Sequence, residues 1–231
     1  MWIPERYGGA GEHDWNIRNL VVVVEQLSRA CGGVGVLFAV NALGSLPIIT
    51  GGTEEQKLHY LPQVASGEKL ISFCLSEKTA GSDAQSLRTR AVEGDGTWSI
   101  HGEKKWTTNG GAADIYTVFA VTDPEARGSA RISAFIVEKG DDGFSIGKVE
   151  DKMGIRCTPV VETVFDGVVV DESRLLGGQV GKGFRHAMAT LDMARPGVAA
   201  QGMGLAQGAL ELANRYTSKR NQFGQAINGF Q

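Results

Sequence analysis

The sequence predicts an α+β protein of several domains, with helical parts at both ends and an antiparallel β domain between them. Two changes of pattern along the chain support this prediction. Apolar residues recur at helical spacing up to about residue 64, short alternating apolar runs follow from residue 70 to about 176, and helical spacing returns from Gly183 onward. We therefore predict an N-terminal helical domain over residues 1–69, a central β domain over 70–180 and a C-terminal helical domain over 181–231.

Two helices are predicted near the N-terminus. Asp14 can cap the first, and one face of that helix carries apolar residues at steps of three and four: Ile17, Leu20, Val21, Val24 and Leu27. The β-branched run from Val21 to Val24 locally favours a strand and opposes this prediction. Thr53 and Gln56 match a capping box, which predicts another helix from Glu54 to about Leu61.

The β domain is predicted to begin with a strand from Leu70 to Leu75. Residues 92–100 indicate a hairpin, because Asp95-Gly96 suits a two-residue turn between alternating apolar residues. Three further strands are predicted, at Ile115–Val121, Ile132–Val137 and Val160–Phe165.

A long helical pattern runs from Gly183 to Tyr216. Pro196 interrupts it, so we expect a break or kink there. Three glycines, at 202, 204 and 208, are poor helix formers, but their missing side chains would let another helix pack very close.

Composition excludes several functions. The 231 residues carry a formal net charge of −3, which lacks the basic surplus of a nucleic-acid-binding protein. No secretory signal is evident at the N-terminus, and the apolar stretch Gly32–Ile49 is interpreted as a buried helix, not a membrane span, because it contains four glycines, Asn41, Ser45 and Pro47. The three cysteines are too scattered for a metal site and favour a reduced intracellular compartment.

Two segments carry the strongest functional signal. Residues 74–83 read CLSEKTAGSD and join the first strand to a turn rich in small and hydroxyl residues. Residues 104–111 read KKWTTNGG and place an indole two residues before a threonine. Such a pair suits a planar heteroaromatic cofactor, with the indole covering one face while hydroxyls and backbone N–H groups address the ring edge. The alternative for each segment alone is an ordinary β-turn.

Together these segments resemble the flavin-binding region of the acyl-CoA dehydrogenases. Further matches to that family's pattern occur in the same order along almost the whole chain: PERYGG at 4–9, TEEQK at 53–57, YLP at 60–62, KMGIR at 152–156 and RNQFG at 220–224. The resemblance implies two helical parts around a central β-barrel. It also implies an internal fragment that lacks the N-terminal helices and most of the C-terminal helical domain.

The family's activity is FAD-dependent α,β-dehydrogenation of acyl-CoA thioesters to trans-2-enoyl-CoA, with electrons passed to an electron-transfer flavoprotein. The resemblance further implies a homo-oligomer, dimer or tetramer, located in the bacterial cytoplasm or the mitochondrial matrix. Two alternatives stay open: an acyl-CoA oxidase or flavin monooxygenase of the same fold, and a non-catalytic subunit or pseudoenzyme. Oxygen consumption with peroxide formation would separate the oxidase from the dehydrogenase.

The resemblance also assigns roles to individual residues. The FAD-binding positions it implies are Phe73, Cys74, Leu75, Ser76, Gly81, Ser82, Trp106, Thr107 and Thr108, with Arg220 and Gln231 reaching the FAD of a neighbouring subunit. Ser82, Asp192 and Arg195 match positions that contact CoA, although Asp192 and Arg195 are three apart on a helix and could form only a surface ion pair. Gly35 and Ala39 match the bottom of the acyl pocket, for which helix–helix packing is the alternative.

No catalytic base is expected within the chain. One branch of the family places a glutamate directly before the arginine that corresponds to Arg195, but here that position is Ala194. The commoner branch supplies its glutamate from helices that would follow Gln231. Glu77 and Asp83 could be taken for a catalytic carboxylate pair, but we assign them turn and capping roles and call neither the base.

Overall fold

The computed structural model describes residues 1–12 and 17–230. The predicted cap at Asp14 and the predicted cofactor contact of Gln231 both lie outside these residues. Three helices precede the sheet: α1 (Ile17–Ala30), α2 (Gly32–Gly51) and α3 (Glu54–Ser66). Residues 21–24 are helical despite their β-branched side chains, because α1 packs on its neighbours and fully buries Val24.

The capping box at the start of α3 is confirmed. The Gln56 backbone N–H donates to Thr53 Oγ1 at 3.2 Å, and the Thr53 N–H donates to Gln56 Oε1 at 3.0 Å. The helix continues to Ser66, five residues beyond the predicted end, and includes Pro62. The Gln56 amide also donates to the carbonyls of Ser173 and Leu175 at 2.7 and 2.8 Å, which fixes α3 against the segment that follows the last long strand.

Helix α2 lies in the core, as predicted. By length and composition it could cross a membrane, but 67% of its most apolar 18-residue window is buried inside the fold. Its Asn41 Oδ1 accepts a hydrogen bond from the backbone N–H of Ile71 at 3.0 Å, so a polar side chain of α2 helps to position the first strand.

Seven strands form the central sheet. They are β1 (Ile71–Cys74), β2 (Arg90–Gly94), β3 (Thr97–Thr108), β4 (Ile115–Val121), β5 (Ile132–Glu138), β6 (Phe144–Val149) and β7 (Val160–Asp171). The hairpin between β2 and β3 is confirmed, with Asp95 and Gly96 both at positive φ as a two-residue turn requires.

The sheet was predicted to be antiparallel, but it also contains parallel strand pairs. Strand β4 pairs on one side with β5, in antiparallel fashion, and on the other side with β1 in parallel. The β2–β3 hairpin supplies the connection that a parallel pair needs, and β2 itself meets β4 in parallel at Val121. From β2 the sheet continues antiparallel through β3, β7 and β6.

Strand β4 is buried on both faces. Ile115, Phe119 and Val121 pack in a cluster with residues of α2, α3 and the second helical part. Tyr116, Val118 and Ala120 face a second cluster inside the curve of the sheet. A strand buried on both faces needs a continuous apolar run, which explains why residues 115–121 were easy to predict.

The second helical part is α4 (Gly183–Thr217), followed by a short hairpin of β8 (Asn221–Gln222) and β9 (Gln225–Ala226). The expected break at Pro196 is absent, since α4 is one continuous helix. A proline there removes the hydrogen bond to the carbonyl of Asp192; because Pro196 and Asp192 are both exposed, water can satisfy that carbonyl.

Close helix packing is confirmed at two of the three glycines of α4. A β-carbon on Gly204 would stand 3.0 Å from the backbone N of Arg29 and closer still to the carbonyl O of Glu25, and one on Gly208 would meet the carbonyl of Arg29. The prediction is wrong for Gly202, which faces open space. Several large apolar residues of α4 are exposed: Val198, Met203, Leu205, Leu210, Leu212 and Tyr216.

Candidate functional site

A cavity of about 510 Å³ lies where α2, α4, the end of β1 and the end of β3 meet. This volume is within the usual range for small-molecule sites. It collects most of the predicted cofactor-binding residues and several apolar neighbours: Val40, Leu43, Phe73, Leu75, Ser76, Gly81, Ser82, Ala84, Lys105, Trp106, Thr108, Met188, Leu191 and Arg195.

Strand β1 contributes alternate residues to the cavity. Phe73 and Leu75 line it, because side chains two apart on a strand share a face. Cys74 points the other way, into the sheet interior, where its Sγ accepts a hydrogen bond from Thr107 Oγ1 at 3.8 Å. Burial raises the pKa of the Cys74 thiol to about 11. The side chains of Cys74 and Thr107 therefore lie outside the cavity, and the cofactor contact of these two residues stays a prediction.

A bulge in β3 turns Trp106 toward the cavity. The pairing of β3 with β7 shifts between Lys104 and Thr107, and Trp106 lies at the bulge with a φ of +56°. Bulky residues rarely adopt this left-handed conformation, which costs on the order of 1–3 kcal/mol. The indole remains 54% exposed at the cavity wall. The strained backbone at Trp106 thus leaves a large aromatic face exposed at the cavity instead of buried in the core.

Three hydroxyl groups in the cavity are available to a ligand. Within residues 1–12 and 17–230, the side-chain oxygens of Ser76, Ser82 and Thr108 have no hydrogen-bond partner, and all three line the cavity. Ser76 and Thr108 are half-buried, whereas Ser82 is exposed. Half-buried hydroxyls without partners are suited to hydrogen-bond the polar edge of a bound ring.

The loop that carries Ser76 is held by a buried ion pair. Lys104 is fully buried, and its Nζ donates to Glu77 Oε1 at 2.8 Å and to the Leu75 carbonyl at 3.1 Å. The same carboxylate accepts from the backbone N–H groups of Arg88 and Thr89 at 2.7 and 2.9 Å. A further hydrogen bond of 2.9 Å joins the Lys105 N–H to the Ser76 carbonyl.

The environment of this pair assigns Glu77 a structural role. Burial raises the pKa of Glu77, but the Lys104 charge and the hydrogen bonds from Lys104 and Thr89 outweigh it, so the pKa lies below its ordinary value. Burial also lowers the pKa of Lys104, against the opposing effect of Glu77. A carboxylate held in this way accepts a proton poorly, in agreement with the turn role predicted for Glu77. The other carboxylate considered as a candidate base, Asp83, accepts a hydrogen bond from Ser86 Oγ.

A second, smaller cavity of about 130 Å³ adjoins the first. Its walls come from α1, α2 and α4 and are almost entirely apolar, with Thr108 lining both cavities. Ala39 and Ala194 line it. Gly35 does not: a β-carbon there would stand 3.1 Å from Ser28 Cβ and closer to Ser28 Oγ, so Gly35 serves the contact between α1 and α2. Only Ala39 of the two predicted acyl-pocket residues faces a cavity.

The remaining predicted residues lie at or beyond the rim. Arg195 lines the larger cavity and forms an exposed ion pair with Asp192, which is not among the lining residues. Arg220 lies beyond the end of α4, far along the chain from the cavity walls, where its N–H donates to the Tyr216 carbonyl at 2.9 Å. Its contact with a neighbouring subunit's cofactor stays a prediction.

Sequence reasoning missed the walls supplied by helices and the support beneath the loop. Val40, Leu43, Met188 and Leu191 line the larger cavity, but within an apolar periodic pattern they look like any core residue. Lys104 carried no usable signal, because strict alternation would place its side chain on the same face as Trp106, whereas the strand pairing shifts between Lys104 and Thr107.

Helical parts on either side of a curled sheet, with a cavity at their junction, define a ligand-binding α+β protein. Models of the acyl-CoA dehydrogenase family match nearly all of the chain. The N-terminal domain matches residues 1–68, the middle domain 72–168 and the C-terminal domain 181–231. The chain belongs to the acyl-CoA dehydrogenase family.

Individual relatives agree with this assignment. An acyl-CoA dehydrogenase of Bacillus subtilis is 46% identical over 97% of this chain and 58% of its own length. Butyryl-CoA dehydrogenase from Megasphaera elsdenii has a TM-score of 0.94 and 43% identity. A chain in a structure of the electron transferring flavoprotein of Acidaminococcus fermentans has a TM-score of 0.95 and 44% identity. Both solved structures cover 100% of this chain, which spans 60% of each of them.

Proposed function

We propose that this chain is part of an FAD-dependent acyl-CoA dehydrogenase that oxidises acyl-CoA thioesters to trans-2-enoyl-CoA and passes the electrons to an electron-transfer flavoprotein. One observation carries the proposal. A single cavity combines a half-exposed indole held at a strained backbone with the unpaired hydroxyls of Ser76 and Thr108. A flat ring with a polar edge needs these features together.

The residues present fit a flavin. Trp106 would cover one face of the ring, the Ser76 and Thr108 hydroxyls would hydrogen-bond its edge, and Phe73 and Leu75 would exclude water. When bound, FAD supplies the acceptor for the two electrons and the hydrogen that leave the substrate's β-carbon. Arg195, on the rim, would attract the phosphates of CoA.

The acyl chain is proposed to occupy the apolar cavity beside Thr108. Ala39 and Ala194 are small, so this cavity has room for an acyl group longer or bulkier than four carbons. A series of acyl-CoA chain lengths, assayed with a protein of the relatives' full length, tests this point. Ala39→Glu should narrow the preference toward short chains, whereas a butyryl-CoA optimum that the substitution leaves unchanged would contradict the assignment.

The general base is proposed to come from outside the described residues. Among residues 1–12 and 17–230, neither cavity is lined by a carboxylate, and Ala194 offers only a methyl group. Without a base, removal of the α-proton is slower by about 10²–10⁴-fold. We therefore expect negligible turnover of saturated acyl-CoA by this chain, and turnover once it carries the C-terminal portion that its relatives possess.

Cofactor binding tests the proposal directly. The chain should quench flavin fluorescence on titration with FAD, and Trp106→Ala should weaken binding by roughly 2- to 10-fold through loss of aromatic contact. Val169→Ala, a change of an exposed side chain on β7, is the matched control and should have no effect. A chain of the relatives' full length that stays colourless after incubation with FAD would refute the proposal.

Enzyme activity provides the second test. Dye-linked assays should detect dehydrogenase activity in a protein of the relatives' full length and none in the 231-residue chain. Appreciable peroxide formation by the longer protein would instead identify an oxidase.

We further propose that the whole protein acts as a homo-oligomer, in which Arg220 and Gln231 reach a neighbour's cofactor. We also propose that it works in the bacterial cytoplasm or the mitochondrial matrix.

A further inference from the structure

Two of the three cysteines meet in the fold although 126 positions separate them in the sequence. Cys31 lies at the junction of α1 and α2, and Cys157 lies in the loop between β6 and β7. A β-carbon built on Gly33 would stand 3.8 Å from Cys31 Sγ and closer still to Cys157 Sγ. Both cysteines are exposed and free, and both sulfurs lie within 4 Å of this β-carbon position.

Neighbouring contacts hold the two segments together. Thr158 Oγ1, one residue after Cys157, donates to the Gly33 carbonyl at 3.2 Å and is buried. The Lys152 Nζ donates to the carbonyls of Ile155 and Thr158, which closes the loop on itself. The approach of the two thiols is therefore built into the contact between the helical part and the sheet.

The position of Cys31 favours the thiolate form of its side chain. Cys31 is the N-cap residue of α2, and the backbone N–H groups of Val34 and then Gly33 lower the pKa of its thiol, with the Cys157 thiol adding to the effect. A thiolate is the attacking form of cysteine, so Cys31 is suited to act as the nucleophile. Cys74, the third cysteine, is buried with a raised pKa and stays unreactive.

We propose that Cys31 and Cys157 form a reversible dithiol–disulfide pair whose oxidant is a low-molecular-weight disulfide. The Cys31 thiolate attacks one sulfur of the oxidant and expels the first thiolate, which takes up a proton from water. Cys157 then loses its proton and attacks Cys31 Sγ, and the second thiolate leaves. Two protein thiols are oxidised, and one disulfide is reduced to two small thiols.

The modification would join the α1–α2 junction covalently to the sheet. Helices α1 and α2 form walls of the apolar cavity, so the bond would fasten one end of those walls to the β6–β7 loop. A link that closes so long a stretch of chain restricts the unfolded state strongly. In a reducing compartment the pair would remain as thiols until oxidised small disulfides accumulate.

Oxidised glutathione is the probe that tests the pair. After incubation of the native chain and alkylation of the remaining thiols, peptide mass spectrometry should find Cys31 joined to Cys157 and Cys74 still reduced. Dithiothreitol should restore both thiols, and the oxidised chain should unfold at a higher temperature than the reduced one.

Single substitutions separate a true pair from two independent thiols. Cys157→Ser should trap a stable glutathione adduct on Cys31, and Cys31→Ser should yield no internal disulfide and slower modification at Cys157. The proposal would be overturned if the unsubstituted chain accumulated glutathione on both cysteines without joining them, or if neither cysteine reacted.

Discussion

The contact between α1 and α4 predicts opposite effects for two substitutions only two residues apart. Gly204→Ala adds a β-carbon 3.0 Å from the backbone N of Arg29 and closer to the Glu25 carbonyl O. Ordinary contacts lie at about 3.5–4.0 Å, so the two helices would have to separate by roughly 1 Å. The obstructing atoms belong to the backbone and cannot rotate away. Overpacking of this kind costs about 1–3 kcal/mol, which exceeds the gain of up to about 1 kcal/mol from replacing a helical glycine.

Gly202→Ala is the matched control, because its added methyl group meets no atom within 4 Å. It should raise the free energy of unfolding by up to about 1 kcal/mol through helix propensity alone. Urea unfolding followed by far-UV circular dichroism measures both variants. We expect the midpoint to fall for Gly204→Ala and to rise for Gly202→Ala. Equal shifts of the same sign would show that the close approach of the helices is not what the glycine at 204 permits.

Three further predictions concern buried groups. Lys104→Met should lower the free energy of unfolding by about 3–5 kcal/mol, because it leaves the Glu77 carboxylate buried without its cation; addition of Glu77→Gln should recover part of the loss in the same urea assay. Because the folded pKa of Glu77 lies below its ordinary 4.5, its contribution to stability is complete above pH 4.5 and is lost as the pH falls through the folded pKa. Acid unfolding of Glu77→Gln should lack this component. Gly35→Ala should destabilise the chain by about 1–3 kcal/mol, and Ser28→Ala should relieve part of that cost, whereas additive losses would argue against the contact between the two.

The sequence was sufficient where one local pattern determined the structure. The capping box at Thr53, the turn at Asp95-Gly96 and the buried strand from Ile115 to Val121 each carry their signal within a few residues. The family resemblance then located most of the strand and loop residues that line the larger cavity, but not its helical walls.

Features that depend on long-range contacts could not be predicted. The parallel pairing of β1 with β4 joins segments more than forty residues apart. At Pro196 the local rule predicted a break, but packing against α1 and α2 and an exposed carbonyl let α4 continue. Likewise, alternation places Thr107 inside the sheet only once the bulge near Trp106 is known.

The order of the strands has a consequence for how the cavity forms during folding. The β2–β3 hairpin is local, so it can form early. The pairing of β1 with β4 closes a much longer loop and must overcome more chain entropy. Ser76 follows β1 and Trp106 lies on β3, so the two walls meet only after this late step. A chain in which only the hairpin has formed would therefore lack the cavity, and acquisition of ligand binding should lag behind the formation of most β structure.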